Sequence, residues 1–110
     1  MISYPAIFVY DKNEKIYNVS FPDLPGCYTY GETLNTAKKM AAIALTGYLE
    51  SIDSRKLKIP ESSKIKQKNV YYIEPEKKVA FAIWLKKQRE KAGLSQSEIA
   101  KKLGIKYQTY

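Results

Sequence analysis

The chain has 110 residues, 19 basic and 11 acidic side chains, one cysteine and no histidine. That length suits one ordinary domain, or a small domain plus part of another, and a core of this size buries roughly 65% of the surface the unfolded chain exposes. A lone Cys27 closes no intrachain disulfide, and the absence of histidine removes the Ser-His and Cys-His dyads and most zinc sites.

Charge is segregated along the chain. Residues 1–50 carry four lysines against five acidic residues, a net −1, whereas residues 51–110 carry 15 basic against 6 acidic residues, a net +9. A near-neutral front and a strongly basic back imply two kinds of partner, with a polyanion fitting the back. No apolar run approaches 18 residues and no signal-peptide pattern is present, so the expected compartment is the cytoplasm, without membrane contact.

The β-branched and aromatic run Ile2 to Tyr10, interrupted by Asp11-Lys12-Asn13-Glu14 and resumed by Ile16 to Phe21, predicts a β-hairpin. In its second strand Tyr17, Val19 and Phe21 share one face. Asp23, Pro25 and Gly26 turn the chain, Cys27 to Tyr30 supplies a third strand, and Gly31 and Glu32 are expected to end it. Thr33 is placed to cap a helix starting at Leu34. Along that helix Leu34, Ala37, Ala41, Ala44, Leu45, Tyr48 and Ile52 form one stripe, with Lys38, Lys39 and Thr46 away from it. A turn over Ile59 to Ser63 precedes a fourth strand, Val70 to Ile73, apolar enough to be buried; residues 74–78 read as a polar linker.

The stretch FPDLPGCYTYGETLNTA at 21–37 resembles the core motif of the HicB family, antitoxins of HicA-type mRNA-cleaving toxins. The likeness is close in FPDLPGC and GET and departs at Asn35 and Thr36, where the family usually has acidic residues, so no capping box forms with Thr33. A second departure is the lack of a further proline near position 62. The resemblance implies an α+β fold, a reduced ribonuclease-H-like βββαβ domain over residues 1–73. It also implies a HicA-type toxin partner, with Asp11, Glu14, Asp23 and Glu32 as candidate toxin-binding residues that complement a basic toxin.

Residues 79–110 read as a separate unit. Val79 to Ala92 is a predicted helix with Gly93 at its C-terminal cap, and Ser95-Gln96-Ser97-Glu98 fits a capping box before Ile99, Ala100 and Leu103. LKKQREKAGLSQSEIAKKLGIKYQTY resembles a lambda-repressor-like helix-turn-helix that ends about one turn into its recognition helix, which gives the expectation that this DNA-binding domain is partial in the chain. The family pattern puts Gln96 against phosphate and Lys106, Tyr107 and Gln108 toward operator DNA, with Gln108 suited to adenine. The reading is therefore an antitoxin that occludes its toxin and, through a complete helix-turn-helix, represses its own operon as a homodimer or larger homo-oligomer.

No catalytic residue, cofactor or metal is expected. Asp11 sits where a ribonuclease-H-like carboxylate would be sought, but its context is a hairpin turn, and no acidic residue joins the helix stripe. Cys27 lacks an activating neighbour and Trp84 suits packing. Two other classes stay open: a free-standing DNA-binding regulator and, less favoured, a metal-dependent nuclease.

Overall fold

A computed structural model describes residues 2–93. Four strands, β1 (Tyr4–Asp11), β2 (Ile16–Ser20), β3 (Tyr28–Gly31) and β4 (Val70–Ile73), form one antiparallel sheet in the order β3-β2-β1-β4. Helix α1 (Leu34–Ser54) covers one face, and α2 (Lys77–Ala92) follows β4. This is the α+β arrangement that the sequence implies.

Alternation within the strands decides which face is covered. Tyr4, Ala6 and Phe8 of β1 and Val19 of β2 turn inward and are buried with Ala37, Ala41, Leu45, Leu49 and Ile52 of α1. Leu49 is absent from the predicted stripe but falls on the same side as Leu45 and Ile52. Two expected solvent positions are not idle: the Lys38 ammonium lies 4.0 Å from the centre of the Tyr71 ring, and Thr46 Oγ1 donates to Ala42 O and accepts from Glu76 N–H. The α1 flank facing β4 is thus held by polar contacts as well as packing.

Gly31 extends β3 instead of ending it, pairing with Tyr17. A Cβ at this position would lie 2.5 Å from the Ala37 backbone nitrogen, so only glycine lets α1 start so close to the sheet. Thr33 caps α1 as expected, accepting from Thr36 N–H at 3.0 Å. Before β3, the FPDLPGC segment folds into consecutive reverse turns closed by Leu24 N–H to Phe21 O and Cys27 N–H to Leu24 O, both 3.0 Å, with Gly26 at φ +86°. These turns drive Leu24 fully into the core.

β4 matches its predicted span but is an edge strand, with only Ile73 buried; it pairs with β1 alone. The loop before it is fastened under the sheet by buried Ile59, by the Tyr4 hydroxyl donating to Pro60 O, and by the Tyr72 hydroxyl, which donates to Ser63 O and accepts from Ile65 N–H. Helix α2 begins at Lys77, two residues earlier than expected, because Glu76 caps it through Val79 N–H, and Gly93 closes it as a left-handed C-cap. Ala80 and Ile83 join the core under α1, while Lys86 pairs with Asp53 at 2.9 Å and Lys87 donates to Pro60 O.

Candidate interaction surface

The sheet face opposite α1 has no covering helix among the described residues. The register sets its rungs: Asp11 beside Ile16, then Val9, Asn18 and Tyr30, then Val70, Ile7, Ser20 and Tyr28. Glu32, one residue past the last paired position of β3, falls beside Ile16. Asp11, Glu14 and Glu32 therefore gather at one end of the sheet, around the β1–β2 hairpin. Asp23 lies at the opposite end, where its carboxylate accepts from the backbone N–H and hydroxyl of Ser63.

Asp11 also has a local task. Its Oδ1 accepts from Asn13 N–H at 2.9 Å and Glu14 N–H at 3.1 Å, while its carbonyl takes Lys15 N–H, closing a turn in which Lys15 adopts φ 56°. One carboxylate oxygen thus fixes the hairpin that presents Glu14. The other acidic groups of this end, Glu14 and Glu32, are exposed. The exposed Tyr28 and Tyr30 below them are not among the residues that the sequence singles out. Their signal was the i, i+2 spacing of Tyr28 and Tyr30 in a strand with one covered face.

The described residues contain no group of three or more His, Cys, Asp or Glu side chains suited to a metal. Cys27 is buried, and burial pushes its thiol up to about 11, which disfavours the nucleophilic thiolate. Trp84 is half-buried and stacks on Phe81. An open groove between the end of α1 and α2 is lined by Lys56, Lys58, Lys86 and Arg89 with Asp53 and Glu90, and the Asp53 contact engages Lys86. Gln96, Lys106, Tyr107 and Gln108 lie outside the described residues. No described helix is long and apolar enough to cross a membrane.

The described residues thus form a four-stranded antiparallel sheet with α1 across one face and α2 following β4. The HicB-like antitoxin family of bacterial toxin-antitoxin systems matches residues 4–91, and a helix-turn-helix family matches residues 85–110. The chain belongs to the HicB-like antitoxin family. Its fold is similar to that in a toxin-antitoxin complex from Streptococcus pneumoniae, with a TM-score of 0.62 and 18% identity over 93% of this chain and 95% of that one. It is also similar to the antitoxin HicB of Burkholderia pseudomallei, with a TM-score of 0.60 and 21% identity over 72% of this chain and 67% of that one. An uncharacterized 14.9 kDa protein of Haemophilus phage HP1 is 37% identical over 62 residues, 56% of this chain and 44% of the phage protein.

Proposed function

We propose that this chain neutralises a HicA-type mRNA-cleaving toxin by covering it, and regulates its own operon through the helix-turn-helix region. The observation that carries the toxin-binding part is the open sheet face with Asp11, Glu14 and Glu32 gathered at one end. A toxin that holds RNA needs a basic surface, and three carboxylates, set beside uncharged tyrosines and among Lys12 and Lys15 of the same hairpin, offer it ion-pair partners without chemistry by the antitoxin. Asp23, spent on Ser63 at the other end, is left to hold the loop.

The test is co-expression with the toxin encoded in the adjacent reading frame. The chain restores growth, and the double variant Glu14→Lys, Glu32→Lys loses affinity at least tenfold while keeping its thermal stability. A folded double variant that binds as tightly as the parent overturns this surface.

The second activity rests on the helix-turn-helix match and the basic back half. Gln96 contacts phosphate, Lys106, Tyr107 and Gln108 face the operator, and Lys58 and Arg89 in the groove beside α2 add phosphate contacts. Fluorescence anisotropy on the operator measures it: Gln108→Ala costs about 1–3 kcal/mol on the specific site, whereas Lys58→Ala weakens all sequences equally and lowers the salt slope.

A further inference from the structure

Helix α2 buries apolar residues on two opposite sides. Ala80, Ile83 and Lys87 stand three and four residues apart and so share a side; there Ala80 and Ile83 enter the sheet core, and Lys87 donates to Pro60 O at 3.2 Å. Leu85 is turned about 200° from Ile83. It is nonetheless fully buried, and it stands outside the core cluster that Ile83 joins. Phe81, one turn earlier on the Leu85 side, is half-buried.

The entry to α2 is fastened. Residues 74–78 are rich in charge, yet Pro75 among them is buried, and Glu76 N–H donates to Thr46 Oγ1 of α1 at 2.9 Å. Farther along, Lys86 pairs with Asp53 at 2.9 Å, and the Pro60 carbonyl that takes Lys87 also takes the Tyr4 hydroxyl of β1. From Glu76 to Lys87 the helix is therefore pinned to α1 and to the loop that β1 holds, over about 16 Å of its length. A helix pinned at both ends of such a span does not pivot about either.

We infer that α2 is a strut shared by two units, its Ile83 side locked in the sheet core and its Leu85 side the seat of residues 94–110, with no swivel between the units. The chain itself supplies this occupant. The stretch that matches a helix-turn-helix family begins at Leu85, the buried residue that the sheet core does not use, and residues 94–110 follow directly on the left-handed cap at Gly93. Ile99, Ala100 and Leu103 are the apolar residues it brings. The inference rests on the helix-turn-helix reading above and adds a direction to it: the DNA-facing residues are carried at a fixed angle to the sheet that meets the toxin.

The test uses the full chain and no DNA, so failure of operator recognition shows in the operator titration and leaves this result untouched. Trp84 is the single tryptophan and lies on α2, so its fluorescence follows this helix alone. Its anisotropy decay is expected to show the tumbling of the whole chain without a separate nanosecond component. Ile83→Asp adds that component, because it frees α2 from the core. Leu85→Asp does not add it, but trypsin then cuts after Lys101 and Lys102 about tenfold faster than in the parent, while Leu85→Met keeps the parent's rate. A separate nanosecond component in the parent's own decay, which needs no variant, shows a swivel and overturns the strut. Cleavage of Leu85→Asp at the parent's rate overturns the seat. If Leu85→Asp loosens Trp84 as Ile83→Asp does, both sides of α2 belong to one core and the division into two units fails.

Discussion

Helix α1 and helix α2 both pack apolar residues on the same core, but they approach it differently. Helix α1 approaches through small residues, with Ala37, Ala41 and the bare Gly31 backbone in contact, so its position is fixed by shape. Helix α2 buries Ala80, Ile83 and Leu85, sets Val79 and Trp84 against the core, and adds polar ties from longer side chains, Lys86 to Asp53 and Lys87 to Pro60 and Glu61. The α1 contact tolerates no added atom at Gly31 or Ala41, whereas α2 depends on large apolar side chains and loses little when one lysine tie is cut. The first therefore fixes one face of the sheet, and within the second begins the stretch that matches a helix-turn-helix family.

The sharpest way to break this contrast is at Gly31. Gly31→Val forces α1 off the sheet and is expected to lower stability by about 3 kcal/mol or more, read by thermal or denaturant unfolding. Ile83→Ala is expected to cost about 2–4 kcal/mol by leaving a cavity under α2, and an unchanged midpoint would place α2 off the core. Ala41→Leu overpacks the shape-fixed contact and is expected to cost about 1–3 kcal/mol.

Alkaline pH sharpens the comparison on the loop side. Burial, with Glu61 and Asp23 adding to it, pushes the Tyr4 hydroxyl up to about 12 from 10, so the folded state favours the neutral phenol. Its contribution is fully present below pH 10 and is lost as pH rises through 12, on the order of 2 kcal/mol. Tyr4→Phe flattens that limb. Lys86→Ala is the smallest, with an expected cost of about 0.2–1 kcal/mol because Asp53 is half exposed, and its loss fades with salt.

The succession of elements along the chain and the capped α1 were legible because period and punctuation agree there: alternation in β2, Thr33 before Leu34, Gly26 in the turn. What escaped depends on distant partners. Gly31 carries the composition of a strand breaker, and only the approach of Ala37 explains its place inside β3. Leu24 looks like one residue of a turn, yet that turn exists to bury it. Lys38 and Thr46 read as solvent positions until β4 and Glu76 arrive from beyond residue 70. In the acidic set, proximity along the chain pointed to Asp23 as much as to Glu32. The register alone puts Glu32 with Asp11 and sends Asp23 to the far end.

The most direct test of the central claim titrates purified chain into the ribonuclease assay of the adjacent-frame toxin, using both the full chain and residues 1–93. The account expects equal, stoichiometric inhibition by both, unaffected by chelator, since the toxin is covered by the sheet domain and no metal chemistry is involved. Cleavage that persists with 1–93 while the full chain inhibits would contradict it, by moving the inhibitory surface into the helix-turn-helix region.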